Sequence, residues 1–329
     1  MKFFLYLPVI FFCALLFSKQ DDSLVYTEYK KINNSPYPIR CTIMYPKKKP
    51  IIAKAVFIAG TGSTNEDGTL GPNTPTRDLA IQLAEMGIVT ARFPKRAKIY
   101  KTLTYDDFTI EQEFFEDTLS CVNILKADRR ANHVPLLLIG HSLGAMLAPH
   151  IAKKIDVDGI VMLGGSPRSP YVIIPEQLKH LDMLCESREN INHHYFVKYN
   201  PICKRAEKGR MRRDFKLLSF PKAYLNRWRE YSLSSAETVK KASLPTLIMG
   251  FGTDYQSTKE DFRIYRKNLS RNKNVHFVWL EDINHFFMKD KKPASDKRYH
   301  LTTPISEEIA LRIHSFVTKS LPTYPHHLL

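Results

Sequence analysis

The hydrophobic pattern of this 329-residue chain falls into short apolar runs separated by longer amphipathic stretches. Ala53–Ala59, Ile88–Phe93, Leu136–Ile139, Gly159–Leu163, Leu244–Gly250 and Val275–Leu280 are short and largely apolar, which predicts strands of a buried sheet. Between them, Arg77–Met86 has an amphipathic helical pattern closed by Gly87. Thr109–Lys126 sets Phe114, Phe115, Leu119, Val122 and Leu125 at helical spacing behind an acidic first turn, and Ile305–Leu321 predicts a terminal helix. Tyr26–Tyr45 alternates in places around the turn signals Asn33-Asn34 and Pro36, which predicts an antiparallel pair ahead of these units. Alternating strands and helices imply an α/β fold with a doubly wound, mostly parallel sheet and helices on both faces.

From Pro170 to about Ala242 the pattern changes to an aromatic-rich, basic, helical stretch with no obvious strand. An insertion of that size between two sheet strands predicts a helical cap over the active-site edge. The expected organisation is a leader over 1–20, a core over 21–169 and 243–329, and a helical cap over 170–242. No internal repeat is present.

Leu136–Gly144 reads Leu-Leu-Leu-Ile-Gly-His-Ser-Leu-Gly, and Ala145–Ala148 continues with good helix formers. An apolar strand thus runs through Gly-x-Ser-x-Gly into a helix that reaches about Lys154, with Ser142 at the apex. Gly140 and Gly144 remove the Cβ atoms that would collide where strand and helix approach. The turn also sets Ser142 beside the first N–H groups of the helix, where oxyanion charge can be stabilised.

A serine hydroxyl is a weak nucleophile near neutral pH and needs a base, itself oriented by a third group. In such a sheet those partners come from loops at the carboxyl ends of later strands. Leu244–Gly250 exits into Phe251–Gln256 and Val275–Leu280 into Glu281–Phe287, which selects Asp254 and His285 in the order Ser…Asp…His. His300, His314, His326 and His327 lie well beyond the last strand. His141 and His150 flank the elbow without easily facing its serine. Asp261 falls in a following helix, and Asp282 is too near His285 in the same loop. The expected oxyanion donors are the N–H groups of Leu143, after the nucleophile, and Thr61, in the Gly60–Ser63 loop.

The N-terminus is distinct: Lys2, then an apolar run Phe3–Phe17 broken only by Pro8, then a polar exit at Ser18–Asp22. Fifteen residues suit a signal-peptide core better than a membrane span, so export is expected, with an uncleaved anchor or a buried strand as alternatives. Phe11 and Phe12 stand where a lipoprotein signal needs small residues before Cys13. The remaining cysteines are Cys41, Cys121, Cys185 and Cys203; Cys185 and Cys203, close in sequence, are the pair to test for a disulfide, and reduced thiols are the alternative. No Cys-x-x-Cys, His-Glu-x-x-His or His/Cys cluster suggests a metal.

The formal charge of +16 would favour anionic surfaces. Its densest segment, Lys204–Lys216, lacks a nucleic-acid module or interleaved stacking aromatics, so a solvated basic helix or loop is expected, with weak contact to an anionic envelope surface as the partner reading.

These residues resemble the α/β-hydrolase superfamily, and more narrowly the exported bacterial hydrolases of the dienelactone-hydrolase and serine-aminopeptidase-like group. The likeness runs over roughly residues 25–320 and is weakest over 170–240. It includes Gly60-Thr61-Gly62-Ser63, Asp67-Gly68, Gly71-Pro72-Asn73, Arg77–Ala80, Lys95-Arg96, Gly140–Gly144 with Pro149, Asp254-Tyr255-Gln256 and Asn284-His285-Phe286. Thr61 and Ser63 replace a serine and a proline common in relatives, and Pro94 replaces an aspartate, all at the mouth of the site. The resemblance implies carboxyl-ester hydrolysis through an acyl-enzyme, without metal or organic cofactor.

Two rival functions stay open. One is aminopeptidase or amidase action on the same triad, with Glu176, Asp182, Glu186 or Glu189 of the cap binding an amino group. The other is a non-catalytic envelope-binding protein that keeps the fold.

Overall fold

The continuously apolar run of β5 (Leu136–His141) is buried on both of its faces. Leu136 and Leu138 belong to one hydrophobic cluster, while Leu137 and Ile139 belong to a second on the opposite side of the sheet. β3 (Ala53–Ile58) and β6 (Gly159–Leu163) divide in the same way. The period of two in a strand sends neighbours to opposite faces, so two helical layers turn the expected alternation into unbroken apolarity. These relationships come from a computed structural model that describes residues 24–184, 191–212, 214–292, 299 and 301–321.

The eight-stranded sheet has the order β1-β2-β4-β3-β5-β6-β9-β10. β1 (Val25–Ile32) and β2 (Ile39–Pro46) form the antiparallel pair expected at the start of the chain, and β2 is also antiparallel to β4 (Ile88–Arg92). From β4 through β9 (Thr246–Phe251) to β10 (Val275–Leu280) all pairing is parallel. One face carries α3 (Glu116–Lys126), α4 (Leu143–Ala152), α7 (Lys222–Ala242) and α8 (Lys259–Leu269). The other carries α1 (Pro75–Glu85) and the terminal α9 (Glu307–Ser320).

The stretch expected as one helix over Thr109–Lys126 begins as a π-helical turn, Glu111–Phe115, and becomes regular only in α3. The wider turn buries Glu113, whose carboxylate meets Lys95 Nζ at 2.9 Å and also accepts from Tyr224 of α7. Next to Lys95, Arg96 grips Asp117 through both oxygens, at 2.6 and 2.7 Å. The basic pair Lys95-Arg96, at the start of the short helix α2 (Arg96–Ile99), therefore clamps the β4 exit to α3.

Between β6 and β9 the chain forms α5 (Pro170–Met183), α6 (Ile191–Glu207) and α7. It also contains a small antiparallel hairpin, β7 (Lys216–Leu217) with β8 (Phe220–Pro221), where no strand was expected. Two paired residues on each side are too few for an alternation to be read. Glu111 on the core meets Arg227 of α7 at 2.5 Å, and His150 of α4 hydrogen-bonds the Tyr231 carbonyl of α7 at 3.0 Å.

Candidate active site

Ser142 occupies the step from β5 into α4 with φ 55° and ψ −119°, a region that residues with a Cβ adopt only under constraint. The adjoining glycines impose that constraint. A Cβ at Gly140 would lie 2.3 Å from the Gly144 carbonyl oxygen, and one at Gly144 would lie 2.2 Å from that of Ile58. Strand and helix thus meet at a separation that only hydrogen allows. The Ser142 N–H donates to Leu163 O at 2.9 Å, so β6 also braces the elbow.

Ile58 pairs with Gly140, so the loops after β3 and β5 leave the sheet side by side. Gly60 lies against the nucleophile: a Cβ there would come within 2.9 Å of Ser142 Cβ. The structure accordingly places Thr61 and Leu143 on adjacent exits beside Ser142. Leu143 is the first residue of α4, where an N–H has no intrahelical acceptor. In the same loop Gly62 takes φ 94°, and the phenol of Tyr105 approaches its backbone. Tyr105 carries no sequence motif, and only the fold brings it there.

Asp254 and His285 emerge from the neighbouring exits of β9 and β10. His285 Nδ1 meets Asp254 Oδ2 at 2.6 Å, with both side chains buried. Asp254 Oδ1 accepts from the N–H groups of Gln256 at 2.7 Å and Ser257 at 3.0 Å, which aims the other oxygen at the imidazole. The His285 turn is shaped by Asn284, whose Oδ1 accepts from the N–H groups of Phe286 and Met288. Among the described residues no hydrogen bond joins Ser142 Oγ to His285. The acid–base half of the relay is closed, and the serine remains partly exposed beside it. Such links commonly close only with substrate present.

The rivals have other tasks. Asp261 is buried and saturated by Arg168 at 2.7 and 3.0 Å, by Ser166, and by Thr258 in the capping box of α8. Asp282 is exposed. His150 bonds to the Tyr231 carbonyl of α7, and burial pushes its pKa down to about 4. His314 lies on α9, while His300, His326 and His327 fall outside the described residues. His141 turns from its neighbour Ser142 to the His285 carbonyl, with Nε2 and oxygen 2.9 Å apart.

Cys185 also falls outside the described residues, as do Glu186, Glu189 and the leader. Cys203 is a buried free thiol, and burial pushes its pKa up to about 12. The thiols that the fold brings together are Cys41 of β2 and Cys121 of α3, with sulfurs 3.3 Å apart.

Sheet order and elbow define the α/β-hydrolase fold, which the chain shares with known esterases. It is 31% identical over 290 residues to Esterase EstD of Thermotoga maritima, a match covering 86% of this chain and 66% of EstD, just under two thirds of that protein's length. An esterase of Pyrococcus furiosus superimposes with TM-score 0.52 at 14% identity, over 90% of this chain and 92% of that one. A dienelactone hydrolase from Anabaena variabilis does so with TM-score 0.53 at 12% identity, over 91% and 100%. No family model matches the chain.

Proposed function

We propose that this chain is a serine hydrolase that cleaves carboxylic esters of small molecules. The observations that carry the proposal are the strained Ser142 elbow at the end of β5 and, on the exits of β9 and β10, an imidazole oriented by a buried carboxylate. Asp254 holds the proton on His285 Nδ1, leaving Nε2 free to take the proton of Ser142 Oγ. The alkoxide attacks the ester carbonyl, and the N–H groups of Thr61 and Leu143 receive the charge on the tetrahedral oxyanion. His285 passes the proton to the leaving alcohol. It then activates the water that attacks the acyl-enzyme and regenerates Ser142.

Of the four cap acids, the two that the structure describes support esters over amides. Glu176 is paired with Arg168 at 2.8 Å and Asp182 with His193 at 3.0 Å, so neither stands ready for a substrate amino group. The apolar leader supports export. A groove of about 470 Å³ lined by Lys198, Arg205, Arg210, Arg212 and Lys216, with Asp214 the lone acid, is the part of the cap suited to weak contact with an anionic envelope surface.

The deciding experiment labels purified protein with a fluorophosphonate and assays p-nitrophenyl esters against aminoacyl amides. Labelling and ester turnover that both vanish in Ser142→Ala are expected. Turnover that survives this substitution excludes the mechanism, and faster cleavage of amides excludes the ester preference.

A further inference from the structure

The residue just before the nucleophile also touches the base. His141 ends β5, adjacent to Ser142, and its Nε2 lies 2.9 Å from the backbone carbonyl oxygen of His285. Its ring centre is 4.6 Å from the His285 ring and 4.8 Å from the Phe287 ring. A carbonyl oxygen can only accept, so the contact requires hydrogen on Nε2. Burial, reinforced by the adjacent His285, holds the His141 pKa well below the ordinary imidazole range. His141 is therefore a neutral donor in a fixed tautomer, not an acid or base of the reaction.

We propose that His141 is a positioning residue: its Nε2–H bond to the His285 carbonyl fixes the base-bearing turn to the strand that carries the nucleophile. The remaining hydrogen bonds of that turn run elsewhere. Asn284 folds it on itself, Thr253 N–H donates to Ile283 O at 3.1 Å, and Asp290 N–H donates to Asp282 O at 2.8 Å. Asp254 sets the Nδ1 side of the ring, but one hydrogen bond leaves the ring free to tilt. The His141 bond runs from the turn to β5 itself and so sets the height of the imidazole relative to Ser142 Oγ. Proton transfer is steep in that coordinate, because a misplacement of about 1 Å can cost roughly 10²-fold in rate.

The kinetic consequence rests on the esterase reading; the structural one does not. The test compares His141→Gln with His141→Asn. The glutamine amide nitrogen reaches the place of Nε2, whereas that of asparagine stops near the place of Nδ1. Glutamine should keep kcat within about fivefold, and asparagine should lower it on the order of 10²-fold with KM nearly unchanged. In a His285→Ala background the asparagine change should have no further effect. His141→Phe, which fills the ring volume without a donor, serves in place of asparagine if that variant unfolds.

A second readout needs no turnover. The strongly deshielded proton in the 2.6 Å bond between His285 and Asp254 should give a low-field proton resonance that survives in His141→Gln and broadens in His141→Asn or His141→Phe. Equal behaviour of Gln and Asn, or slowing by Asn when His285 is absent, overturns the proposal. Wild-type protein inert to every ester would end the functional reading, and the resonance would still decide the role of His141.

Discussion

Asp254 Oδ2 and His285 Nδ1 stand 2.6 Å apart across a separation of 31 residues, because β9 and β10 are parallel neighbours that deliver their exit loops to one edge. Asp261, only seven positions beyond Asp254, is just as buried but is held by Arg168. The two carboxylates should therefore separate cleanly on mutation. Asp254→Asn should lower kcat by about 10⁴-fold by favouring the wrong imidazole tautomer. Asp261→Asn should leave kcat near wild type and lower unfolding stability by about 1–2 kcal/mol, because Arg168 keeps only Glu176 and the α8 capping box loses its carboxylate. Ester kinetics and urea titration of both variants check the contrast.

The backbone strain at Ser142 gives a prediction of opposite sign for stability and activity. Ser142→Gly should abolish turnover and raise stability by about 1 kcal/mol, since glycine tolerates φ 55°. Ser142→Ala should abolish turnover without that gain, because its Cβ keeps the strain. Equal urea midpoints for the two variants would show that the elbow stores no strain.

Gly60 supports the nucleophile through empty space. A Cβ there would sit 2.9 Å from Ser142 Cβ, so Gly60→Ala must displace either the serine or the oxyanion loop. The expected result is a loss of roughly 10- to 100-fold in kcat with a native circular-dichroism spectrum. Unchanged kcat would mean that the loop retreats at no cost to catalysis.

Acid should destabilise the fold through its buried imidazoles. Burial lowers the pKa of His150 to about 4, against an ordinary value of 6.5, and moves that of His141 in the same direction. Between those values the unfolded chain binds the proton and the native chain does not, so stability rises with pH. The contribution of His150 is complete above about pH 7 and is lost progressively as pH falls through 6.5 toward 4. The slope is about 1.4 kcal/mol per pH unit for each such histidine. Urea midpoints measured from pH 7.5 to 4 should show this fall, and His150→Gln should flatten it.

The strands, their mostly parallel pairing and the places of Ser142, Asp254 and His285 at strand exits are legible in the sequence because each depends on a local pattern, an apolar run followed by a turn. Less of the surroundings is readable. The π-helical turn at Glu111–Phe115 buries Glu113 against Lys95, a partner 18 residues away on the far side of α2 and a loop. Asn73 holds the Tyr299 and Leu301 carbonyls and the Thr303 N–H, tying the loop before α1 to the chain beyond His285. Tyr105 reaches the oxyanion loop, and Cys41 meets Cys121, by the same kind of long-range closure. Spacing cannot announce such contacts, because both partners look like ordinary polar or apolar positions until the sheet is assembled.

Strand β6 leads directly to its parallel neighbour β9, a step that any right-handed crossover helix could make, and α7 already lies against α4 in that role. The stretch from α5 to β8 is therefore surplus to the topology of the sheet, whereas Gly164–Arg168 before it is bonded into the core. The length and shape of the α5–β8 stretch can change without altering the strand order that sets Ser142 on one exit and Asp254 and His285 on two others.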